Sequence, residues 1–367
     1  MSSIKAWGRR LLDRVKGAIS SKFFALFGAQ DVEDDVKKNK ITILQLPIDV
    51  VLLITDYLAL HDQVTLSETC ISFHTVVRLR CGSAALLPKE QRIRYFSAVA
   101  RSIPDRWACE ICAELHPVSF KDAPGIPSSL PCQRTALRPR FHGISIKFKL
   151  EHRHVQLALK YQRLACISKN DRAIYLSRLL RPYSAMFRTH PDADRHPCPV
   201  FAKYSAHPKL VQQRYLLLST WEYTAGREML MKYTMGFLAI CRHQWLEFDW
   251  HTSEIRCLMA ENEYRQKGGI FLNPARNPTK ILRLAFDVAT ESKATAVHAS
   301  CPLCPVDFAV KYTPDRAIIR AWHDLGPEGT PLDHEWAVHV MQDRPDEPIC
   351  HVEGSIRDLY ESTKRLY

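Results

Sequence analysis

Residues 46–77 read LPIDVVLLITDYLALHDQVTLSETCISFHTVV, and their apolar positions recur at helical spacing. Pro47 stands where a helix can begin, because the first helical turn needs neither its missing N–H nor a freely rotating φ. The apolar residues that follow recur every three or four positions, as in a short amphipathic helix: Val50, Leu53, Ile54 and Tyr57 or Leu58. A break at residues 59–61 precedes a second helical set that begins at Val64. The stretch therefore predicts a group of short helices.

A unit built from such short helices cannot bury all of its apolar side chains, because so small a unit has little interior. Two amphipathic helices of an ordinary core would show the same spacing, so periodicity alone does not separate the two interpretations. The ordered combination is more specific. It comprises a Leu-Pro pair at residues 46–47, Asp62 as a candidate cap after the break, and the late Cys70 and Phe73. Apolar side chains left exposed on a small helical unit are what a groove on a partner protein binds.

This combination resembles the F-box, a short helical motif found in subunits of Skp/cullin/F-box ubiquitin ligases. In that family the Leu-Pro pair and the apolar positions after it contact the Skp-type adaptor protein. The resemblance implies six adaptor contacts in this sequence: Leu46, Pro47, Val50, Ile54, Leu58 and Leu66. It also implies a non-catalytic subunit that reaches cullin through the adaptor and holds an unknown client protein with the rest of the chain.

The composition of the whole chain is that of a folded protein. It has 367 residues, of which 46% are hydrophobic, and this is enough apolar surface for a buried core. It has no apolar run of about eighteen residues, so no membrane-spanning helix is predicted. Twelve cysteines in a chain of this length do not form a dense disulfide scaffold, and no secretory signal is recognised at the start. We therefore expect a reducing compartment, the cytoplasm or the nucleus.

The net charge of +12 is concentrated in one part of the chain. Residues 88–190 carry 19 Lys and Arg against 7 Asp and Glu, whereas residues 191–367 carry 21 against 23. A basic stretch can bind nucleic acid or an acidic partner, and it can equally be a solvated face. Residues 1–28 interleave basic and apolar positions, which fits either a membrane-surface helix or a poorly ordered tail.

A first cysteine cluster follows the helical stretch. Cys109 and Cys112 enclose two residues, and His116 and Cys132 come later in the chain. Two cysteines in a tight turn can bind one zinc ion, and a His with a third Cys would complete a tetrahedron. Two buried cysteines with a hydrogen-bonded His are the alternative interpretation.

A second cluster lies towards the C-terminus. Cys301 and Cys304 form another Cys-x-x-Cys pair, and Cys241 and His243 lie upstream. These four residues would make a Cys₃His zinc site if the chain folds back on itself. The alternative is a reduced, buried turn that leads into the next strand. A structural zinc ion is therefore a candidate cofactor at either cluster.

The coarse secondary structure predicts an α+β fold, in which a helical N-terminal F-box precedes a mixed α/β region. Apolar spacing predicts helices over residues 149–166 and 173–180. Alternation over residues 307–312, turn chemistry at 313–316 and a β-rich run over 317–323 predict an antiparallel hairpin near the C-terminus.

Two further elements are predicted after this hairpin. Trp336, Val338 and Val340 indicate a third strand, and apolar spacing from Ile356 indicates a final helix. The chain then divides into four regions: a basic tail and linker at 1–40, the F-box at 41–87, a cysteine-containing client-binding region at 88–345 and the C-terminal helix at 346–367.

The order of these features also resembles a group of fungal F-box proteins. The resemblance rests on Trp107, Cys109, Cys112, Leu115 and His116, on residues 157–161, on Cys301, Cys304, Asp307 and Phe308, and on Trp322, Asp324, Leu325 and Gly326. It covers most of residues 41–345 and implies the order of the regions without identifying a client.

Other functions have less support in the sequence. It contains no glycine-rich phosphate loop, no GxSxG elbow and no HExxH motif, and it has no leucine-rich, WD or kelch repeat. A zinc-stabilised nucleic-acid-binding or general interaction protein is the main alternative, and membrane association through residues 1–28 is a weaker one. No firm nucleic-acid or membrane partner is predicted, and nothing points to a homo-oligomer.

Overall fold

The computed structural model describes residues 45–81, 83–119, 123–124, 148–189, 200–225, 230, 235–236, 238–246, 281–292, 295–340 and 347–362. Within the chain, Met1–Val118 and Ser119–Tyr367 form two compact units. Residues 1–40 and Cys132 lie outside the described residues. None of the described helices is long and apolar enough to cross a membrane.

The first unit contains the predicted group of short helices. They are α1 (Ile48–Asp56), α2 (Leu60–Ser67), α3 (Ile71–Cys81) and α4 (Lys89–Ala100), followed by the antiparallel strands β1 (Arg106–Ala108) and β2 (Leu115–Pro117). Pro47 is the residue before α1 and its carbonyl accepts from the N–H groups of Val50 and Val51, so the predicted start of this helix is confirmed.

The expected capping role of Asp62 is wrong. The helix α2 already begins at Leu60, and Ala59 takes the cap position without a side-chain hydrogen bond. Asp62 lies in the first turn instead, where a carboxylate interacts favourably with the positive end of the helix dipole.

The core of the first unit joins the helices of the 46–77 stretch to the segment that follows. It is formed by Val51, Val64, Leu66, Phe73, Val77, Leu87 and Tyr95. Tyr95 lies on α4, and its hydroxyl donates to Oε2 of Glu68 at 2.5 Å. The side chains of His61 and Gln91 also contact each other. Residues 88–118 therefore fold with the first unit, although the predicted functional boundary after residue 87 stays a prediction.

The second unit is built around a six-stranded antiparallel sheet. Its strands are β3 (Tyr183–Arg188), β4 (Phe201–Val211), β5 (Arg214–Thr224), β8 (Val297–Ser300), β9 (Val306–Thr313) and β10 (Arg316–Pro327). Their order across the sheet is β3-β4-β5-β10-β9-β8. A separate hairpin pairs β6 (Leu238–Cys241) with β7 (Gln244–Leu246). The predicted hairpin is confirmed as β9–β10, and the α+β fold is confirmed with it.

The described helices of the second unit are α5 (His152–Arg163), α6 (Lys169–Leu179), α7 (Ile281–Glu291), α8 (His334–Val340) and α9 (Ser355–Ser362). The helices α5 and α6 confirm the two that were predicted over residues 149–180. A capping box formed by Glu151 and His154 begins α5, and the Ser168 hydroxyl accepts from the N–H of Asp171 at the start of α6.

The predicted third strand is wrong, because Trp336, Val338 and Val340 lie on α8. The carbonyl of Asp333 accepts from the N–H groups of Trp336 and Ala337, which starts this helix. All residues from Trp336 to Val340 are buried. Without a polar face, the sequence has no marker that separates a period of two from a helical period.

The predicted final helix is confirmed as α9, and a buried carboxylate fixes its start. Asp307, 2% exposed on β9, accepts from the backbone N–H groups of Gly354, Ile356 and Arg357 at 3.1, 2.8 and 3.0 Å. His351 Nε2 lies 3.1 Å from the same carboxylate. A distant strand thus satisfies the first N–H groups of α9, which have no partner inside the helix itself.

Candidate functional sites

One face of α1 exposes large apolar side chains. Leu53 is 58% exposed, Tyr57 78% and Val50 36%, and Ile54 beside them is half-buried. Positions separated by three, four and seven residues lie on one side of a helix. We call Val50, Leu53, Ile54 and Tyr57 the α1 apolar face. Large apolar side chains grouped on one exposed helix face make this face a candidate binding surface.

The other side of α1 holds the helix in place. Val51 is buried in the core of the first unit, and Leu58 packs against that core. The Thr55 hydroxyl donates to the carbonyl of Leu52 at 2.7 Å, and Gln63 Nε2 donates to the carbonyl of Leu58 at 3.0 Å. The core packing of Val51 and Leu58 and the hydrogen bond from Gln63 hold α1 in place, while its other face stays open to solvent.

The six predicted adaptor contacts fall in three environments. Pro47 and Val50 are exposed and Ile54 is half-buried on the α1 apolar face, which suits a contact surface. Leu46 and Leu58 are partly buried against the core. Leu66 is 4% exposed and lies inside the core.

Three further apolar side chains are exposed here: Ile48 and Leu53 on α1, and Tyr57 directly after its last residue. Leu53 and Tyr57 lie three and seven residues after Val50, so the helical spacing had already placed both in the amphipathic set.

A closed cluster of sulfur and nitrogen donors lies in the second unit. The tight turn between β6 and β7 brings Cys241 and His243 together, and the turn between β8 and β9 supplies Cys301 and Cys304. One donor atom from each residue lies within 4.8 Å of the others. All four side chains are buried, at 3%, 4%, 0% and 0% exposed. The predicted meeting of these two segments therefore occurs, and the four residues could hold a metal ion.

Hydrogen-bond donors point at two of these sulfurs. The backbone N–H of His243 donates to Sγ of Cys241, and the backbone N–H of Leu303 donates to Sγ of Cys301. Gln244 Nε2 lies 4.0 Å from Sγ of Cys301. Each of these donors stabilises negative charge on sulfur.

The pKa values of the three thiols in the cluster are shifted in different directions. Contacts with the Cys241 and Cys304 thiols hold the pKa of Cys301 far below its usual value, in spite of burial. Burial raises the pKa of Cys241 and of Cys304. Burial also lowers the pKa of the nearby His339 to about 4, so this imidazole is neutral at neutral pH.

The first cysteine cluster is smaller and more open. Cys109, Cys112 and His116 lie on the β1–β2 hairpin, with donor atoms within 4.8 Å of one another. Cys112 Sγ and His116 Nε2 are 3.0 Å apart. Cys109 is buried, whereas Cys112 and His116 are half-buried. Because Cys132 lies outside the described residues, the proposed fourth ligand of this cluster stays a prediction.

The described basic residues of the 88–190 stretch are divided between the two units, and some of those in the second unit are buried. Arg153 and Lys160 on α5 are 4% and 0% exposed. Arg163 is paired with Glu328 through two hydrogen bonds of 2.6 and 2.9 Å. These described cations are not displayed for a phosphate backbone, so they lend no support to a nucleic-acid interface.

Comparison with known proteins identifies one segment of the chain. Residues 43–81 match the family model described as F-box domain. No curated protein and no solved structure matches the chain. The resemblance of the later cysteine-containing region to fungal proteins therefore stays a prediction. The chain contains an F-box domain at residues 43–81, which supports a general adaptor role in a Skp/cullin/F-box ubiquitin ligase and implies binding to a Skp-type adaptor and hence to cullin.

Proposed function

We propose that this protein is a substrate receptor of a Skp/cullin/F-box ubiquitin ligase, which binds the Skp-type adaptor through the α1 apolar face and a client protein through its second unit. The observation that carries the proposal is a coincidence of two features. The segment that matches the F-box domain is also the segment whose first helix exposes Leu53 and Tyr57.

Burial against a partner would remove the α1 apolar face from water and so favour binding. Full burial of one aliphatic or aromatic side chain contributes about 1.5–3 kcal/mol. Val50, Leu53, Ile54 and Tyr57 lie on a short helix whose opposite side is already packed. The face is therefore preorganised, and binding costs little ordering of the helix. An amphipathic helix docking in an apolar groove is a recurrent recognition mode.

Such a receptor works by position and needs no chemistry of its own. Holding a client close to the ligase raises the effective concentration of the client at the site of ubiquitin transfer. The proposal includes a cytoplasmic or nuclear location. Twelve cysteines in 367 residues are too few for a dense disulfide scaffold, which supports a reducing compartment.

An adaptor pull-down with the full chain tests the proposal. Leu53→Asp places a charge on the α1 apolar face and should weaken adaptor binding at least tenfold, because each 1.4 kcal/mol corresponds to a factor of ten. Leu86→Asp is the matched control, since Leu86 is 78% exposed in the same unit and lies outside the F-box match. Its binding should equal that of the wild type.

Two results would count against this function. The first is a wild-type chain that binds no adaptor under conditions in which an established F-box protein binds. The second is an equal loss of binding in Leu53→Asp and Leu86→Asp, which would assign the effect to general damage. Identification of proteins that co-purify with the wild type, and fail to do so after removal of the second unit, would test the client-binding half.

A further inference from the structure

The donor geometry in the second unit is that of a four-ligand metal centre. In a tetrahedral site with Zn–S bonds of about 2.3 Å, neighbouring sulfurs lie about 3.8 Å apart. The donor atoms of Cys241, His243, Cys301 and Cys304 lie within 4.8 Å of one another, so shifts of about an ångström bring them to that geometry. Four donors from two turns surround a common point.

We propose that Cys241, His243, Cys301 and Cys304 form a closed structural zinc site that holds the β6–β7 hairpin to the turn between β8 and β9. Three thiolates and one imidazole suit zinc, whereas magnesium and calcium prefer oxygen ligands. All four positions of the tetrahedron are filled by the protein and buried, which is the mark of a structural rather than a catalytic site.

The negative charge of buried thiolates favours a bound cation at this cluster. Burying two or three neighbouring thiolates without a cation is strongly unfavourable, and a bound zinc ion deprotonates its thiol ligands. Backbone N–H groups of His243 and Leu303 already donate to two of the sulfurs. Such donors stabilise thiolates around an ion and give little to neutral thiols.

Gln244 acts as a positioning residue for the site. Its side chain is fully buried, with Nε2 4.0 Å from Sγ of Cys301 and Oε1 accepting from the backbone N–H of Leu282 at 3.0 Å. The amide thus connects one ligand to the first turn of α7. The helix α7 in turn packs on β7, β8 and β9. The zinc ion would consequently fix three elements that are far apart in sequence.

Metal analysis of the purified full chain, after zinc loading and removal of loose metal, is the direct test. Wild type and Cys166→Ser should contain the same amount of zinc, because Cys166 is an exposed cysteine away from the site. Cys304→Ser should contain one equivalent less. Cys112→Ser reports any contribution of the first cluster, so the one-equivalent loss in Cys304→Ser is assigned to the second unit alone.

Cobalt substitution adds a readout that does not depend on a folded variant. Cobalt bound to the wild type should show the strong visible bands of a tetrahedral site and sulfur-to-cobalt charge transfer. His243→Cys keeps four soft donors and should retain one equivalent of zinc. Adaptor binding is a separate readout, since a Cys304→Ser chain that loses zinc and still binds the adaptor leaves the proposed function intact.

The zinc site is overturned if wild type and Cys304→Ser contain equal zinc. It is also overturned if the wild type, alkylated under non-reducing conditions, carries a disulfide between Cys241, Cys301 or Cys304. The zinc site is also overturned if wild type and Cys166→Ser both lose their zinc during removal of loose metal, because a closed buried site releases its ion slowly.

Discussion

The two units of this protein use their side chains in opposite ways. The first unit leaves apolar groups in water, with Leu53 and Tyr57 more than half exposed on α1. The second unit encloses charged groups, among them Lys160 and Asp307 at 0% and 2% exposed, and a Cys/His cluster that could hold a metal ion. An exposed apolar face keeps binding energy available for a partner. Enclosed polar groups instead form internal connections, which specify one arrangement of distant segments.

The largest effect is expected where a buried polar connection of the second unit is removed. Asp307→Ala leaves the N–H groups of Gly354, Ile356 and Arg357 without their acceptor, and it removes the partner of His351. We expect a loss of about 3–5 kcal/mol of stability, because each buried donor left unsatisfied costs about 1–3 kcal/mol. Urea denaturation followed by circular dichroism measures it.

Asp315→Ala is the control for that measurement. Asp315 lies in the exposed β9–β10 turn and accepts from the Thr313 hydroxyl at 2.7 Å. Its removal should cost less than about 1 kcal/mol. Equal losses for the two variants would mean that the contacts of Asp307 with the start of α9 carry no special stability.

The next effect separates the core of the first unit from its surface. Leu66→Ala should lower the free energy of unfolding by about 2–5 kcal/mol, because Leu66 is buried in the core and its removal leaves a cavity. Leu53→Ala should change it by less than about 0.5 kcal/mol, because Leu53 is exposed. A similar loss for both in thermal or urea unfolding would contradict the division into core and contact face.

Substitutions on the exposed face should weaken adaptor binding more than substitutions in the core, which is the reverse of their effects on stability. Tyr57→Ala removes the most exposed apolar side chain of the α1 apolar face and should weaken binding about tenfold, or about 1.4 kcal/mol. Leu66→Ala should leave the affinity of the folded fraction within about threefold. Calorimetric titration below the melting temperature of each variant compares them. If Leu66→Ala weakened adaptor binding more than Tyr57→Ala, Leu66 would have to be a direct adaptor contact.

The smallest effect is a pH dependence confined to the second unit. Burial opposes ionisation of Asp307, but hydrogen bonds from His351 and from the N–H groups of Arg357 and Gly354 outweigh it and lower its pKa. Because the folded pKa is lower than the unfolded one, the stabilisation is complete at neutral pH and begins to fall below about pH 5. It is lost as the pH falls through the depressed pKa, at about 1.4 kcal/mol for each unit of difference.

Unfolding curves of wild type and Asp307→Asn between pH 6 and pH 3 measure this contribution. Asn keeps the shape of the side chain and has no proton to gain, so the variant should lose less stability than the wild type over that interval. Parallel pH profiles for the two proteins would show that Asp307 is not the titrating group.

Patterns with a clear local signal were interpreted correctly from the sequence. Pro47, the turn residues 313–316 and the apolar spacing from Ile356 are local signals, and the structure contains the α1 start, the β9–β10 hairpin and α9 that they predict. Two interpretations failed where local information was ambiguous. Asp62 can serve as a cap or as a first-turn residue, and the buried run from Trp336 to Val340 shows no polar face.

For the candidate sites too, some features follow from local sequence and others from the tertiary structure. The F-box pattern and both Cys-x-x-Cys pairs are local, so residue order alone determined them. Whether Leu66 faces a partner or the core is not local, since α1 and α2 have apolar side chains on more than one face. Only the tertiary structure placed Leu66 inside, brought Cys241 and His243 to Cys301 and Cys304, and connected Asp307 to α9. The physical reason is that burial and contacts between distant residues depend on how the whole chain packs, whereas apolar periodicity, turn residues and Cys-x-x-Cys spacing depend on a few adjacent residues.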